Sequence, residues 1–318
     1  MNTDQSNNLR ESAPSASKNM PDSLNLVFRS VTIEDKARVL DFTAHTWGED
    51  DGDYIQYVFD DWLADPKGHF LAAELDGQAV AIAKLTDLGE GELWLEGLRV
   101  DPAHRKKGIG EALHHRNVEL ARQHGGTLLR YATGEGNVAS RMLGERASFQ
   151  TVGRYLAHVA EASTDFASPE RLSLADWPLL RSWLDSSSLQ ATRRLYARAW
   201  KWMALSESRL RAHLAAGEVF GLRDPAASGL RAWSIGEVRE GWNELLWHHI
   251  DGGEPSAIIE LAQAMRRYAA DSGRKSVEGF VLDRLPLIDV LREAGYRNED
   301  FAIVVLELGL GQRMKDEG

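Results

Sequence analysis

The sequence predicts a mixed α/β protein built from two similar units in tandem. Three observations support this prediction. Apolar runs of strand length alternate with segments of helical spacing along the whole chain. The 318 residues exceed the roughly 100–200 residues of a usual single domain. The order of patterns in the first half also recurs in the second half, as in an internal duplication.

Composition limits the classes of function. Hydrophobic residues make up 43% and charged residues 27%, as in ordinary globular proteins. The net charge of −11 disfavours broad contact with nucleic acid or anionic lipid. The absence of cysteine excludes disulfides, thiolate metal sites and catalysis through a thiol. We expect no metal site.

Targeting signals are not evident in the sequence. The longest apolar runs, 79–83 and 301–306, are far shorter than the roughly 20 residues that span a bilayer. Residues 1–23 are rich in Asn, Ser, Asp and Pro and lack the apolar segment of a signal peptide. We therefore expect a disordered leader over 1–23, no membrane partner and a cytoplasmic location.

The first predicted domain covers residues 24–164 and begins where alternating apolar residues replace the polar leader. Thr32 opens a helical stretch with capping-type residues, and Asp76-Gly77 between two apolar runs is a strong hairpin signal. The predicted strands are 26–31, 70–74, 79–86, 92–100, 127–132 and 151–160, and the later predicted helices are 54–63, 110–124 and 138–146.

The second predicted domain covers residues 165–318 and repeats this order. Segment 172–180 is similar to 31–40, and the runs 218–222 and 230–237 are similar to the first hairpin. The remaining predicted elements are a strand at 244–247, a helix at 256–272, a strand at 276–282, a helix at 285–294 and a strand at 301–308. We interpret the repetition as a diverged duplication; two unrelated α/β domains are the alternative.

The most informative segment follows the strand 92–100. Asp101-Pro102 forces a turn, and residues 105–110 then lead into a helix. Backbone N–H groups at a helix start bind anions, because the helix dipole adds positive charge and glycine permits close approach. Arg105, Lys106 and Lys107 add full charges. The segment contains neither a P-loop nor the third glycine of a dinucleotide-binding motif.

The order Arg105-x-x-Gly108-x-Gly110 after this strand resembles motif A of the GCN5-related N-acetyltransferase (GNAT) family. The resemblance covers residues 26–160 and includes Asn137, which matches the family's Asn at the start of the helix beside the pantetheine arm. It implies two tandem GNAT-like domains, each with a mixed, mostly antiparallel sheet flanked by helices. It also implies that the loop binds the pyrophosphate of acetyl-CoA.

The resemblance defines the residues expected to bind the cofactor. Leu98 and Val100 would pair with pantetheine through their backbone groups. The complete set comprises Leu98, Arg99, Val100, Arg105, Lys106, Lys107, Gly108, Ile109, Gly110, Glu111, Asn137 and Ser140.

Acetylation of an amine requires a base, because an alkylammonium group is mostly protonated at neutral pH. The two-residue period of a strand places Glu92, Glu96, Leu98 and Val100 on one face. Glu96 is the first candidate base and Glu92 the second. Without cysteine, direct attack of the amine in a ternary complex is the simplest mechanism.

The reaction also needs a group that protonates the departing thiolate. The position at which the family commonly has a Tyr acid is Gly144, so Tyr155 or water remain the candidate acids.

The expected acceptor is a small amine or amino acid. The string Leu95-Glu96-Gly97-Leu98-Arg99-Val100 is similar to the histidine N-acetyltransferase branch of the family. We therefore expect an acetyl-CoA-dependent N-acetyltransferase. A non-catalytic acyl-CoA-binding sensor and a structural module are the alternatives.

Two other features have no assigned chemistry. The acidic run 49–53 does not match a calcium loop and is interpreted as a solvated turn. Residues 251–256 of the second domain include two acids and no base, so we expect that domain to be degenerate and not to bind acetyl-CoA.

Overall fold

The computed structural model describes residues 25–44, 46, 52–225 and 229–311, which form two compact units. Unit 1 contains Met1–Tyr131, Met142–Phe149 and Glu307–Gly318, and unit 2 contains Ala132–Arg141 and Gln150–Leu306. Each unit is built from segments that alternate along the sequence, so the division has no single boundary. The domain boundary expected after residue 164 stays a prediction. The expected leader, 1–23, lies outside the described residues, as do Glu49, Asp50 and Asp51.

Unit 1 has a sheet with the strand order β1-β2-β3-β4-β5, antiparallel from β1 to β4 and parallel between β4 and β5. The last residues of β5 and the first of α4 belong to unit 2. The elements are β1 (Val27–Ser30), α1 (Lys36–Thr43), α2 (Ile55–Ala64), β2 (His69–Leu75), β3 (Gln78–Asp87), β4 (Glu92–Val100), α3 (Ile109–Gln123), β5 (Leu128–Gly134) and α4 (Val138–Arg146).

Helices cover both faces of the unit 1 sheet. Phe59 of α2 packs against Phe70 of β2 with ring centroids 5.3 Å apart, and Ile82 of β3 belongs to the same buried cluster. Ile109 and Leu113 of α3 are fully buried. Each such side chain contributes about 2 kcal/mol by its removal from water. The sheet is therefore held rigidly between α1 and α2 on one side and α3 on the other.

Unit 2 has the strand order β14-β6-β13-β12-β11-β10-β7 and a separate hairpin, β8-β9. Strands β12 and β13 are parallel, as β4 and β5 are in unit 1. The elements are β6 (Gln150–Glu161), β7 (Glu170–Arg171), α5 (Trp177–Arg181), α6 (Ser187–Ala191), β8 (Leu195–Arg198), β9 (Lys201–Ala204), α7 (Glu207–Ala216), β10 (Val219–Arg223), β11 (Leu230–Val238), β12 (Glu244–Gly252), α8 (Pro255–Asp271), β13 (Ser276–Leu282), α9 (Leu285–Glu293) and β14 (Arg297–Gly309).

The predicted fold class is confirmed: both units combine a mixed, mostly antiparallel sheet with flanking helices. The sequence prediction missed the elements between α5 and β10. The hairpin β8-β9 turns at Ala199 and Trp200, which have φ angles of 48° and 67° without the glycine that usually marks such a turn. Over the described residues, no helix combines the length and apolarity needed to cross a membrane.

Strand β4 contains a β-bulge that the sequence prediction also missed. Glu96 lies opposite Lys84 and Arg99 opposite Ile82, so β4 has one extra residue between these pairs. Gly97, at the bulge, has a φ of 66°. A Cβ at this position would overlap the indole ring of Trp62. Only glycine satisfies both the backbone angle and the contact.

The bulge changes the face on which later β4 side chains lie. Directly opposed residues of antiparallel strands share a face, so Glu96 and Arg99 point to the same side. Leu98 and Val100 therefore point to the opposite side. The expectation that Glu96, Leu98 and Val100 share one face was wrong, because it assumed an unbroken two-residue period.

Replacing Gly97 by Ala tests the bulge. We expect Gly97→Ala to lower the free energy of unfolding by about 2–4 kcal/mol, from left-handed backbone strain plus the overlap with Trp62. Gly77→Ala is the matched control, since Gly77 has a φ of 80° but open space around its Cβ position. It should cost only about 1 kcal/mol. Urea denaturation measures both, and equal losses would contradict the packing at Gly97.

Candidate active site

Asp101 fixes the turn that leaves β4. Its carboxylate accepts a hydrogen bond from the Ala103 N–H at 2.9 Å and forms an ion pair with Arg38, and one of its oxygens lies 3.3 Å from Nδ1 of His104. Burial alone would raise the pKa of Asp101, but the Ala103 hydrogen bond and the charge of Arg38 hold it below its usual range. The buried, charged side chain of Asp101 therefore links the turn to α1.

Two residues of the turn have left-handed backbone conformations. Lys106 has a φ of 61° and Gly108, which caps α3, has a φ of 79°. Nothing lies within 4 Å of a Cβ placed on Gly108, whereas one on Gly110 would lie 3.4 Å from Val100. Gly108 thus leaves open space at the start of α3, and Gly110 permits close packing of α3 on β4. The first-turn amides of a helix have no intrahelical acceptors and face such space.

The basic side chains of the turn are exposed. The Arg105 Nε donates to the Val100 carbonyl at 3.2 Å, and the Lys107 Nζ donates to the Ala103 carbonyl at 3.2 Å. Neither bond uses a carboxylate, so both positive charges are available to an anion. Ile109 is a core residue, and Glu111 pairs with Arg146 at 3.4 Å on the surface.

The end of β4 has an open edge beside this turn. The register between β4 and β5 covers Glu92–Trp94, and within the described residues it does not continue to Leu98 or Val100. The two parallel strands therefore separate after Trp94. An extended ligand with amide groups could occupy this edge and pair with the backbone of β4.

Glu96 lies on the face of β4 opposite to Leu98 and Val100, close to several polar side chains. The Thr86 hydroxyl donates to Glu96 Oε1 at 2.6 Å. Arg99 forms a two-pronged ion pair with Asp53, with distances of 2.5 and 3.2 Å, and its guanidinium lies 5.4 Å from the Tyr54 ring centroid. The half-buried Glu96 carboxylate is thus oriented by Thr86 within a partly solvent-accessible site.

Asp53 corrects the interpretation of the acidic run as a solvated turn. Its side chain is only 1% exposed, and its charge is compensated by Arg99. A buried carboxylate needs such a partner. Arg99 was expected to bind the cofactor, but in this structure its guanidinium holds Asp53.

Glu92, the second candidate base, is buried and paired. It is 5% exposed and forms an ion pair with the buried Arg130, which also binds Glu307 at 2.6 Å. Its negative charge is therefore already neutralised within the core of unit 1. This pairing favours Glu96 over Glu92 as the base.

Three other predicted site residues belong to unit 2. Asn137 Oδ1 accepts a hydrogen bond from the Ser140 N–H at 3.2 Å and caps the start of α4. Tyr155 is 2% exposed, and its ring packs 5.3 Å from that of Trp202. Gly144, where the family's acid was expected, is buried within α4 of unit 1. The roles of Asn137, Ser140 and Tyr155 in catalysis or binding stay predictions.

Comparison with known sequences gives a family match for part of the chain. Residues 36–149 match the sequence model of the acetyltransferase (GNAT) family, a range that includes β4, the basic turn and α3. This segment, called the GNAT domain below, is therefore similar to GNAT acetyltransferases. Members of this family are acyl-CoA-dependent N-acetyltransferases, and the match indicates this general activity for the segment. The comparison with curated proteins finds no significant match.

Solved structures are similar over nearly the whole chain. A GCN5-related N-acetyltransferase from Sphaerobacter thermophilus has a TM-score of 0.61 and 16% identity, covering 92% of this chain and 97% of its own. A tandem GNAT protein from the clavulanic acid biosynthesis pathway has a TM-score of 0.53 and 16% identity, covering 90% of this chain and 99% of its own. The tandem GNAT fold inferred from the sequence is thereby confirmed.

The turn of the GNAT domain has the chemistry needed to hold acetyl-CoA. Its pyrophosphate requires cationic side chains and backbone N–H donors, which Arg105, Lys107 and the first turn of α3 provide. The open space at Gly108 permits close approach of a phosphate. The open edge of β4 at Leu98 and Val100 suits the amides of pantetheine.

Sequence reasoning missed Thr86, Asp53 and Tyr54 near Glu96. Their proximity depends on how α2 and β3 pack around β4, which no local pattern reveals. The one available signal was Gly97 in the middle of a strand, because an isolated glycine there often marks a bulge. A bulge at Gly97 would have placed Arg99 beside Glu96.

Asp101→Asn tests the anchoring of the turn. At pH 7 it should lower the free energy of unfolding by about 1 kcal/mol, because the charge opposite Arg38 is lost. The pKa of Asp101 is lowered by folding, so its stabilisation is present above the ordinary Asp pKa of 3.8 and lost as the pH falls below it. The difference between wild type and variant should therefore shrink at pH 3.

Asp41→Asn is the matched control, since exposed Asp41 also pairs with Arg38. Urea denaturation at both pH values should show a change below about 0.5 kcal/mol for this variant. A gap for Asp101→Asn that is the same at pH 7 and pH 3 would contradict the ion pair.

Proposed function

We propose that the GNAT domain transfers an acetyl group from acetyl-CoA to the primary amine of a small molecule, in a ternary complex. The observation that carries this proposal is the basic turn at the start of α3, which adjoins an open β4 edge. Glu96 on the same strand supplies a carboxylate. The string 95–100 supports a small amine or amino acid as acceptor. The net charge of −11 supports a protein without nucleic-acid or anionic-membrane partners, and we place it in the cytoplasm as part of this proposal.

The residues of the turn would bind the cofactor. Arg105 and Lys107 would neutralise the pyrophosphate, and the first amides of α3 would donate hydrogen bonds to it. The β4 backbone at Leu98 and Val100 would orient the pantetheine arm. When bound, acetyl-CoA supplies an acetyl group activated as a thioester.

Glu96 would act on the acceptor. An alkylammonium ion becomes nucleophilic only after it loses a proton, and a carboxylate can accept that proton directly or through one water. Thr86 holds one Glu96 oxygen at 2.6 Å and thereby fixes the orientation of the carboxylate. The charge of Arg99 is compensated by Asp53, so it does not oppose an approaching ammonium group.

The proton donor is not the family's usual side chain. Gly144 has no side chain to offer, so we propose water or Tyr155 in this role. The absence of cysteine excludes transfer through an acetylated thiol. Attack of the bound amine on the acetyl group is then the direct route.

Calorimetric titration with acetyl-CoA tests the cofactor site. We expect one saturable site in the wild type and an affinity at least about tenfold lower in Arg105→Ala/Gly108→Asp, because a cation is removed and an anion is added. Asp tolerates the left-handed backbone of Gly108 better than most residues. Arg292→Ala, an exposed arginine of α9, is the control and should bind normally. Absence of binding by the wild type would refute the proposal.

Thiol release with a panel of small amines and amino acids tests the base. Glu96→Gln should lower kcat by about 10²- to 10⁴-fold while leaving acetyl-CoA affinity nearly unchanged. Glu119→Gln, an exposed carboxylate on α3, is the control. An unchanged rate would exclude Glu96 as the base. Acetyl-CoA binding without turnover of any amine would instead support a sensor.

A further inference from the structure

Unit 2 contains an open cavity of about 180 Å³. Strands β6, β12, β13 and β14 and the turn of the β8-β9 hairpin contribute to its lining. On its floor, Phe280 lies opposite Ala157 and Glu278 opposite Val159 in the β13–β6 pair. The small side chains of β6 leave space between the larger groups on either side.

Aromatic rings form one wall of the cavity. The Trp200 ring lies 4.8 Å from Phe280 in an edge-to-face arrangement, and it stacks on Phe301 at 6.0 Å. Trp200 is 52% exposed and Phe301 is 39% exposed. Exposed aromatic groups that cluster together mark binding sites more often than isolated ones do. Trp242 also lines the cavity, but Arg239 already lies 5.6 Å from its ring.

Trp200 has a left-handed backbone conformation that residues with a Cβ disfavour. Ala199 and Trp200 form the two-residue turn between β8 and β9, and both have positive φ angles. Residues other than Gly, Asn and Asp rarely adopt this conformation, because it brings the Cβ too close to the backbone. Strain of this kind is retained where the surrounding structure fixes it, often at binding sites.

Carboxylates supply the charge of the cavity. Among the residues that the structure describes, neither Glu278 nor Glu299 has an ion-pair partner. Desolvation and the negative charges of Glu244 and Glu299 raise the pKa of Glu278, and only Arg297 opposes them. The cavity therefore combines carboxylates that have no ion-pair partner among the described residues with exposed aromatic faces.

We propose that this cavity binds a small organic ammonium ion between the Glu278 and Glu299 carboxylates and the rings of Trp200 and Phe301. Ammonium groups are attracted both to carboxylates and to the faces of aromatic rings. The cavity volume suits a ligand of a few heavy atoms. This site is separate from the motif A turn, so it does not depend on the proposed transferase reaction.

Choline is a suitable probe, because it has a quaternary ammonium group and no N–H to acetylate. We expect calorimetry to show one saturable choline site on the full chain. The uncharged isostere 3,3-dimethylbutan-1-ol should bind at least about tenfold more weakly, because it lacks the cation. This comparison uses only the wild-type protein, so it stands even if a variant does not fold. Equal affinities, or no choline binding, would overturn the proposal.

Variants locate the site. Glu278→Gln/Glu299→Gln should weaken choline binding at least about tenfold, whereas the exposed Glu293→Gln on α9 should not. Trp200→Leu should weaken binding about threefold or more, and Trp200→Tyr, which keeps an aromatic face, should restore most of it. Acetyl-CoA affinity should be unchanged in all four variants. Choline binding that survives Glu278→Gln/Glu299→Gln would place the ligand elsewhere and refute this assignment.

Discussion

The bulge at Gly97 is the constraint on which the candidate active site depends. A regular strand would place Glu96, Leu98 and Val100 on one face. The extra residue instead directs Glu96 and Arg99 to one side and packs Val100 under α3. It thereby separates Glu96, the proposed base, from the groups that would hold the cofactor, while keeping both on one short strand. The indole of Trp62 makes this arrangement specific to glycine.

The two units show how one fold acquires different electrostatics. In unit 1, the turn after β4 has three consecutive basic residues. Two buried acids of the same unit are paired, Asp101 with Arg38 and Asp53 with Arg99. In unit 2, the equivalent strand β12 leads to acidic residues, and among the described residues the cavity carboxylates Glu278 and Glu299 have no ion-pair partner. The same parallel strand pair thus adjoins a basic turn in one unit and unpaired carboxylates in the other. The two units therefore differ in charge placement rather than in topology.

Sequence patterns predicted the fold class, the basic turn and the element order outside the segment between α5 and β10, because these depend on local spacing and on glycine and proline positions. They could not predict contacts made by packing. Asp53 was interpreted as part of a solvated acidic run, but its side chain is buried and forms an ion pair with Arg99. The two-residue period placed Glu92 and Glu96 on one face, but it could not show that the buried Arg130 forms an ion pair with Glu92. The β8-β9 hairpin lacked its usual glycine signal, because Ala199 and Trp200 occupy strained positions.

The ion pair between Arg130 and Glu307 has a consequence for biosynthesis. These residues are 177 positions apart, yet both belong to the buried interior of unit 1. During synthesis the N-terminal part of a chain leaves the ribosome first, and domains usually fold as they emerge. Here the charge of Arg130 lacks one of its two partners until Glu307 has left the exit tunnel. Unit 1 is therefore completed only after Glu307 has been synthesised, and chains terminated before this residue lack the ion pair.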